Sequence, residues 1–150
     1  MFKETTWKDC ENKVQEYMKR KGYKIIYTNF SCVGVELDIV AILPKKVQIK
    51  LLKQEFKQRI LEDKARKKLY ICSLRALLKT KEDVLVITEV KGRETDKYGL
   101  GMEAVSDYKK NNLIRGARFL QKDKHFDKMQ MRFDVASVDG GKITYIENAF

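Results

Sequence analysis

Apolar positions set the frame of this chain before any single residue stands out. The stretch Val84-Leu85-Val86-Ile87 is followed by the alternating run Thr88-Glu89-Val90-Lys91. Four apolar residues in succession, mostly β-branched, predict a strand buried on both faces. The period of two then puts Glu89 and Lys91 on one side and Thr88 and Val90 on the other. Upstream, Trp7, Cys10, Val14, Tyr17 and Met18 recur at helical spacing behind an N-cap at Thr5 or Thr6, predicting a helix to about Lys21 with Gly22 just past its end. Glu11 falls at the border of that apolar arc, beside Trp7 and Met18, where a partly exposed side chain is expected. Residues 23–30 and 35–43 read as a hairpin with its turn at 31–34, ended by Pro44. Between 45 and 81, one helical stripe (Ile49, Leu52, Phe56, Ile60) and another (Tyr70, Ile71, Leu74, Leu77, Leu78) flank an almost wholly charged stretch, so two helices or one interrupted helix is expected. The glycines of 92–101 lack the spacing of a phosphate loop and read as turn residues. Residues 102–121 predict a helix with Val105, Tyr108, Leu113, Ala117 and Leu120 inward and Lys109, Lys110, Arg115 and Arg118 outward. Strands at 129–138 and 143–146 close on the turn Asp139-Gly140-Gly141.

The order is thus α-β-β-(helical insertion)-β-α-β-β: an α/β fold in a single domain over 1–150, with a basic helical insertion at about 45–81. Within it, the apolar run of 35–43 is interrupted only by Glu36 and Asp38, which alternation puts on one face. An aspartate inside a strand runs against β-propensity, so Asp38 needs a partner: a metal ion, Lys91 or a backbone donor. Glu89 and Lys91 pose the same question, since either charge buried alone is costly; they are paired with each other or arranged around an ion. Two carboxylates at one position suit a hard cation such as Mg²⁺, which binds through one or two carboxylates, waters and substrate phosphates. A lysine beside them orients an attacking water or meets charge on the phosphate. Other chemistries find no support. The single histidine, His125, reads as a loop residue and no serine or cysteine triad assembles. Cys10, Cys32 and Cys72 are odd in number and far apart, and read as free thiols.

Charge sharpens the picture. The chain carries a net +11, which favours polyanionic partners. Residues 45–81 hold 13 Lys or Arg against 3 acids, a net of +10, leaving +1 for the rest. That segment is expected to be a nucleic-acid-binding arm, with its apolar stripes packing on the core or on a second copy as a homodimer. A composition of 43% hydrophobic and 35% charged residues is ordinary for a soluble protein. With no run of about 18 apolar residues and no apolar leader at the start, a cytoplasmic protein with no membrane partner is expected.

An acid on one strand followed by Glu-x-Lys on the next resembles the PD-(D/E)xK nuclease superfamily, the restriction-endonuclease-like fold. More of the chain is similar to the bacterial YraN-like family: Glu11 in a first helix, Lys21-Gly22-Tyr23-Lys24-Ile25-Ile26, Asn29, Glu36-Leu37-Asp38-Ile39-Val40-Ala41, Glu89-Val90-Lys91-Gly92-Arg93, Arg132-Phe133-Asp134-Val135 and the ending Ile146-Glu147-Asn148-Ala149-Phe150. These matches run in the family's order from the first helix to the last residue. Two features depart from its usual pattern: Val35 stands where a glycine is usual, with Gly34 one place earlier, and about 40 residues separate two core strands usually joined by a short turn. The resemblance implies a mixed β-sheet flanked by helices and site positions Glu11, Asp38, Glu89 and Lys91, with Glu36 a weaker candidate.

Three readings follow. The first is a Mg²⁺- or Mn²⁺-dependent endonuclease: Asp38, Glu89 and the Val90 carbonyl hold the ion, Lys91 positions the water, and Glu11 binds a second ion or anchors Lys91. Arg93, Lys109, Lys53, Lys57, Lys67 and Lys68 contact nucleic acid, DNA ahead of RNA. The second is a nucleic-acid-binding protein of the same fold that does not cleave. The third is an interaction protein whose basic segment binds an acidic partner.

Overall fold

The computed structural model describes residues 6–93 and 105–150. Of the loop expected over 92–101, Gly92 falls within a strand instead, and residues 94–101 lie outside the described residues, as do the expected helix start at Met102 and the Arg93 side chain. Helix α1 spans Trp7–Arg20 and begins where Thr6 and Asp9 cap each other reciprocally: Asp9 N donates to Thr6 Oγ1 (3.2 Å) and Thr6 N to Asp9 Oδ2 (2.9 Å). Strands β1 (Lys24–Cys32) and β2 (Val35–Leu43) form the expected hairpin. The insertion folds as two helices, α2 (Lys45–Glu62) and α3 (Lys67–Lys79), separated by a short 3₁₀ turn at Lys64–Arg66. Strand β3 (Val84–Arg93), helix α4 (Asp107–Leu120) and strands β4 (Gln130–Asp139) and β5 (Lys142–Ile146) complete the chain.

The five strands make one mixed sheet in the order β1-β2-β3-β4-β5, antiparallel except where β3 meets β4. A parallel pair requires a crossover, and α4 lies on it. The central strand is buried on both faces, as its apolar run predicts. Val84, Val86 and Val90 pack with Cys10, Val14 and Met18 of α1, and Leu85 and Ile87 with Leu113, Ala117 and Leu120 of α4. Close approach of α4 depends on Gly116, where an added Cβ would stand 2.9 Å from Leu37 Cδ2. Gly140 and Gly141, at φ 51° and 83°, supply the two left-handed residues that a two-residue hairpin turn demands. Cys10 is buried, Cys32 is a buried free thiol and Cys72 an exposed one. No helix among the described residues is long and apolar enough to cross a membrane.

The structure corrects the expected helix at 102–121. Ser106 caps α4 by accepting from Lys109 N (3.2 Å), so Val105 is buried ahead of the helix rather than within it. Tyr108, expected inward, is 78% exposed. Trp7 likewise leaves the apolar arc and stands exposed, its indole N–H donating to Glu11, which is buried rather than partly exposed as expected.

Helices α2 and α3 pack chiefly on each other, around an edge-to-face contact of Phe56 with Tyr70. The hairpin is rooted where β2 ends and β3 begins. Lys45 N donates to Asp83 Oδ1 (2.7 Å), and Gln48 Nε2 to the carbonyls of Leu43 (3.2 Å) and Glu82 (2.6 Å). α3 has no fully buried residue, and Leu61 and Leu69 stand exposed at the tip.

On the α1 face of the sheet, Asp134 is the hub of a buried polar network. Arg132 forks onto both its oxygens (2.8 and 2.7 Å), Tyr145 OH donates to Oδ2 (2.7 Å) and Asn148 N to Oδ1 (2.9 Å). Burial pushes the Tyr23 hydroxyl, which accepts from Arg132, up to about 12. Burial and the Asp134 charge raise Tyr145 further still, so both phenols stay neutral donors and acceptors across the physiological range.

Candidate functional site

The β2–β3 ladder runs from Leu43 opposite Val84 to Ile39 opposite Thr88 and stops there. β2 stays with β1 as far as Val35 opposite Cys32, and β3 stays with β4 as far as Arg93 opposite Asp139. The two central strands therefore fork, and the next residues of the lapsed ladder are Asp38 and Glu89. Asp38 Oδ2 accepts from Val90 N at 2.8 Å, so the carboxylate takes the place of the departed strand partner. One residue's N–H and C=O share an edge in an extended strand, so the Val90 carbonyl is turned to the same fork.

Both carboxyls are only 8% exposed. Burial, reinforced by the Asp38 charge and opposed by Lys109, pushes Glu89 up to about 7. Burial also raises Asp38, against the Val90 N–H, a hydrogen bond with Glu89 and the Lys109 charge. The two groups are close enough to share a proton, and when both are ionised no donor stands between them. Glu89 Oε2 is buried with no hydrogen-bond partner among the described residues. An unsatisfied buried carboxylate oxygen is costly, and a cation at the fork would remove that cost. Among the described residues no three His, Cys, Asp or Glu side chains converge as a metal-ligand group. Two carboxylates and a carbonyl leave the remaining positions of an octahedral ion to water and phosphate, the set that Mg²⁺ accepts.

The other expected positions spread around this pair. Glu11 is buried in α1, its oxygens accepting from Trp7 Nε1 (2.8 Å) and Asn29 Nδ2 (3.1 Å), and its charge acts on Asp38. Lys91 follows Glu89 on the same face of β3, half-buried. The ammonium that reaches Glu89 is that of Lys109, at 3.3 Å from Oε1. Glu36 is exposed on β2, next to the β1–β2 turn. Arg93 ends β3, and Lys53, Lys57, Lys67 and Lys68 are exposed on the α2–α3 hairpin. The ladder runs five residues from the fork back to the root of that hairpin, so it leaves the sheet roughly 17 Å from the carboxylate pair.

Two residues named in the sequence take roles there that its pattern did not assign, Lys109 beside Glu89 and Asn29 beside Glu11. Lys109 precedes Leu113 by four residues and Ala117 by eight, so it belongs to the buried stripe of α4; that spacing was a usable signal. Asn29 sits at φ 49°, a left-handed conformation that asparagine tolerates, and this turns its amide to Glu11. Nothing in a strand pattern announces it.

Comparison with known proteins shows a family. The model of the uncharacterised protein family UPF0102 matches residues 10–138. The UPF0102 protein of Sulfurihydrogenibium sp. (strain YO3AOP1) is 25% identical over 150 residues, all of this chain and 97% of that one. That of Clostridium acetobutylicum is 28% identical over 146 residues, 93% of this chain and 88% of the other. That of Pelobacter propionicus is 30% identical over 139 residues, 89% and 74% of the two.

Proposed function

Because the chain belongs to the uncharacterised protein family UPF0102, the YraN-like family, whose name carries no activity, we propose its function from the β2–β3 fork: divalent-metal-dependent hydrolysis of nucleic-acid phosphodiesters. The observation that carries this reading is the pair of buried carboxyls, Asp38 and Glu89, with an oxygen left unsatisfied. Asp38, Glu89 and the Val90 carbonyl would hold Mg²⁺ or Mn²⁺. When bound, the ion polarises the phosphate and lowers the pKa of a water. Val90 N–H keeps Asp38 oriented toward the fork. Lys91 holds and aligns the attacking water, and Lys109 balances Glu89 until an ion takes its share of the charge. Glu11 adds a third negative charge beside Asp38, for a second ion or for Lys91. The test is a panel of DNA and RNA substrates, single-stranded, duplex and branched, with Mg²⁺, Mn²⁺ or EDTA. Cleavage of at least one substrate is expected with an ion and none with EDTA.

The Lys109–Glu89 ion pair favours a second reading, a nucleic-acid-binding protein that does not cleave, its carboxylates neutralised internally. Salt-dependent binding without cleavage on the whole panel would select it.

The raised Glu89 pKa gives a pH dependence. Because the folded-state value, about 7, lies above the usual glutamate range, the stability it contributes is present at low pH and is lost as pH rises through about 7. Over the same interval the carboxylate becomes free for an ion. The rise in Tm that Mn²⁺ gives over EDTA should therefore be larger near pH 8 than near pH 6. A Tm difference independent of pH contradicts the assignment of Glu89.

The α2–α3 hairpin is read as the binding arm, reaching nucleic acid at a distance from the fork. Each neutralised phosphate adds roughly −0.9 to the slope of log affinity against log salt for duplex DNA. Replacing 45–81 by a short turn should make that slope shallower by about this amount for every phosphate the hairpin neutralises. A slope equal to the wild type's would overturn the arm, and an accompanying change from dimer to monomer would assign the hairpin to assembly.

A further inference from the structure

We propose that the outer face of α4, together with the β1–β2 turn, is a binding groove for single-stranded nucleic acid. A cavity of about 520 Å³ lies there, its wall including Val33, Arg115, Arg118, Phe119 and Lys122. Its volume is that of a small-ligand site. Three cations and no acid line it, so its occupant is an anion. Phe119, 39% exposed, lines the groove, with Lys122 Nζ 5.7 Å from its ring centroid. An aromatic ring among cations suits a strand whose bases are unpaired, because every base offers a face to stack while the backbone meets the charges. A duplex keeps its bases stacked inside and offers that ring nothing.

Val33 supplies an independent sign. It is the first residue of the two-residue turn Val33–Gly34, with φ values of 45° and 73°. Such a turn favours Asn or Gly, and a β-branched residue there is strained. Val33 is 47% exposed, so its packing within the fold does not account for that strain. It lines both this groove and a smaller cavity at the turn, which Glu36 also lines. An apolar side chain kept at conformational expense, next to cations and an exposed ring, is placed for a base.

The groove lies round α4 from the fork: Asn111, which also lines it, is two residues, or about 200° of helix, from Lys109. This inference rests on the nuclease reading for what happens to the strand, and not for whether it binds.

The test is fluorescence anisotropy with labelled oligothymidylate and with a blunt duplex, both in EDTA. Phe119→Ala should weaken oligothymidylate binding about tenfold, the order of one base stack, and leave duplex binding unchanged. Val33→Gly should raise the Tm by relieving the turn and at the same time weaken oligothymidylate binding. Equal losses for both ligands would overturn the groove, leaving general electrostatics. So would unchanged oligothymidylate affinity in both variants. Because no ion is present, these outcomes are independent of cleavage: the groove can fail while Mn²⁺-dependent cleavage persists, and cleavage can fail while the groove discriminates.

Discussion

Glu89→Ala should abolish cleavage and leave nucleic-acid affinity intact or higher. The expected loss exceeds the 10- to 100-fold that removal of a merely supporting group around a metal costs, because the substitution takes away half of the carboxylate pair. Affinity in EDTA is expected to hold or rise, since a negative charge at the fork repels phosphate and its removal relieves that repulsion. Folding should survive: Glu89 carries an unsatisfied oxygen and a raised pKa, both signs that its charge is tolerated rather than stabilising. Lys91→Ala separates binding from chemistry, because an ammonium does not ligate Mg²⁺. It should keep the ion and lose cleavage. A Lys91→Ala protein that cleaves at the wild-type rate removes Lys91 from the mechanism.

Asp134→Ala should have the largest effect on stability, about 3–5 kcal/mol, because it leaves the part-buried Arg132 guanidinium without its forked partner. Tyr145 OH and Asn148 N lose an acceptor in the same step. At about 2–4 °C per kcal/mol for a chain of this size, the Tm should fall by roughly 6–20 °C. Thermal or urea unfolding monitored by circular dichroism measures it, and a loss below about 1 kcal/mol would mean that the network contributes little. Tyr145 also hydrogen-bonds Thr88, the neighbour of Glu89 on β3, so this network braces the strand that carries the site. Its role is in holding β3, β4 and the chain end together, at a distance from the reacting groups.

What was legible in the chain, and what was not, divides along physical lines. The central strand was legible because four successive apolar residues have few other places to go, and both faces of β3 are indeed covered. Asp38 and Glu89 were legible as a pair because each interrupts an otherwise apolar strand, and a backbone donor proves to be one of the partners that Asp38 required. The fork itself was not: strand patterns carry no record of where a ladder ends. Lys109 was read as solvated because lysines usually are, although its spacing from Leu113 and Ala117 put it on the buried stripe. The start of α4 is not legible because the apolar periodicity reaches back to Val105, while the Ser106 cap decides where the helix begins. The direction in which the basic hairpin leaves the sheet depends on which strand ends are adjacent, a property of topology alone.

The central claim is that Asp38 and Glu89 together hold a divalent ion, and a titration of Mn²⁺ onto the protein, followed by electron paramagnetic resonance, tests it without any substrate. The wild-type protein should take up Mn²⁺ saturably, more tightly near pH 8 than near pH 6, and both Asp38→Ala and Glu89→Ala should lose that uptake while remaining folded. Uptake that is absent from the wild type, or that survives in both variants with unchanged affinity, would contradict the account.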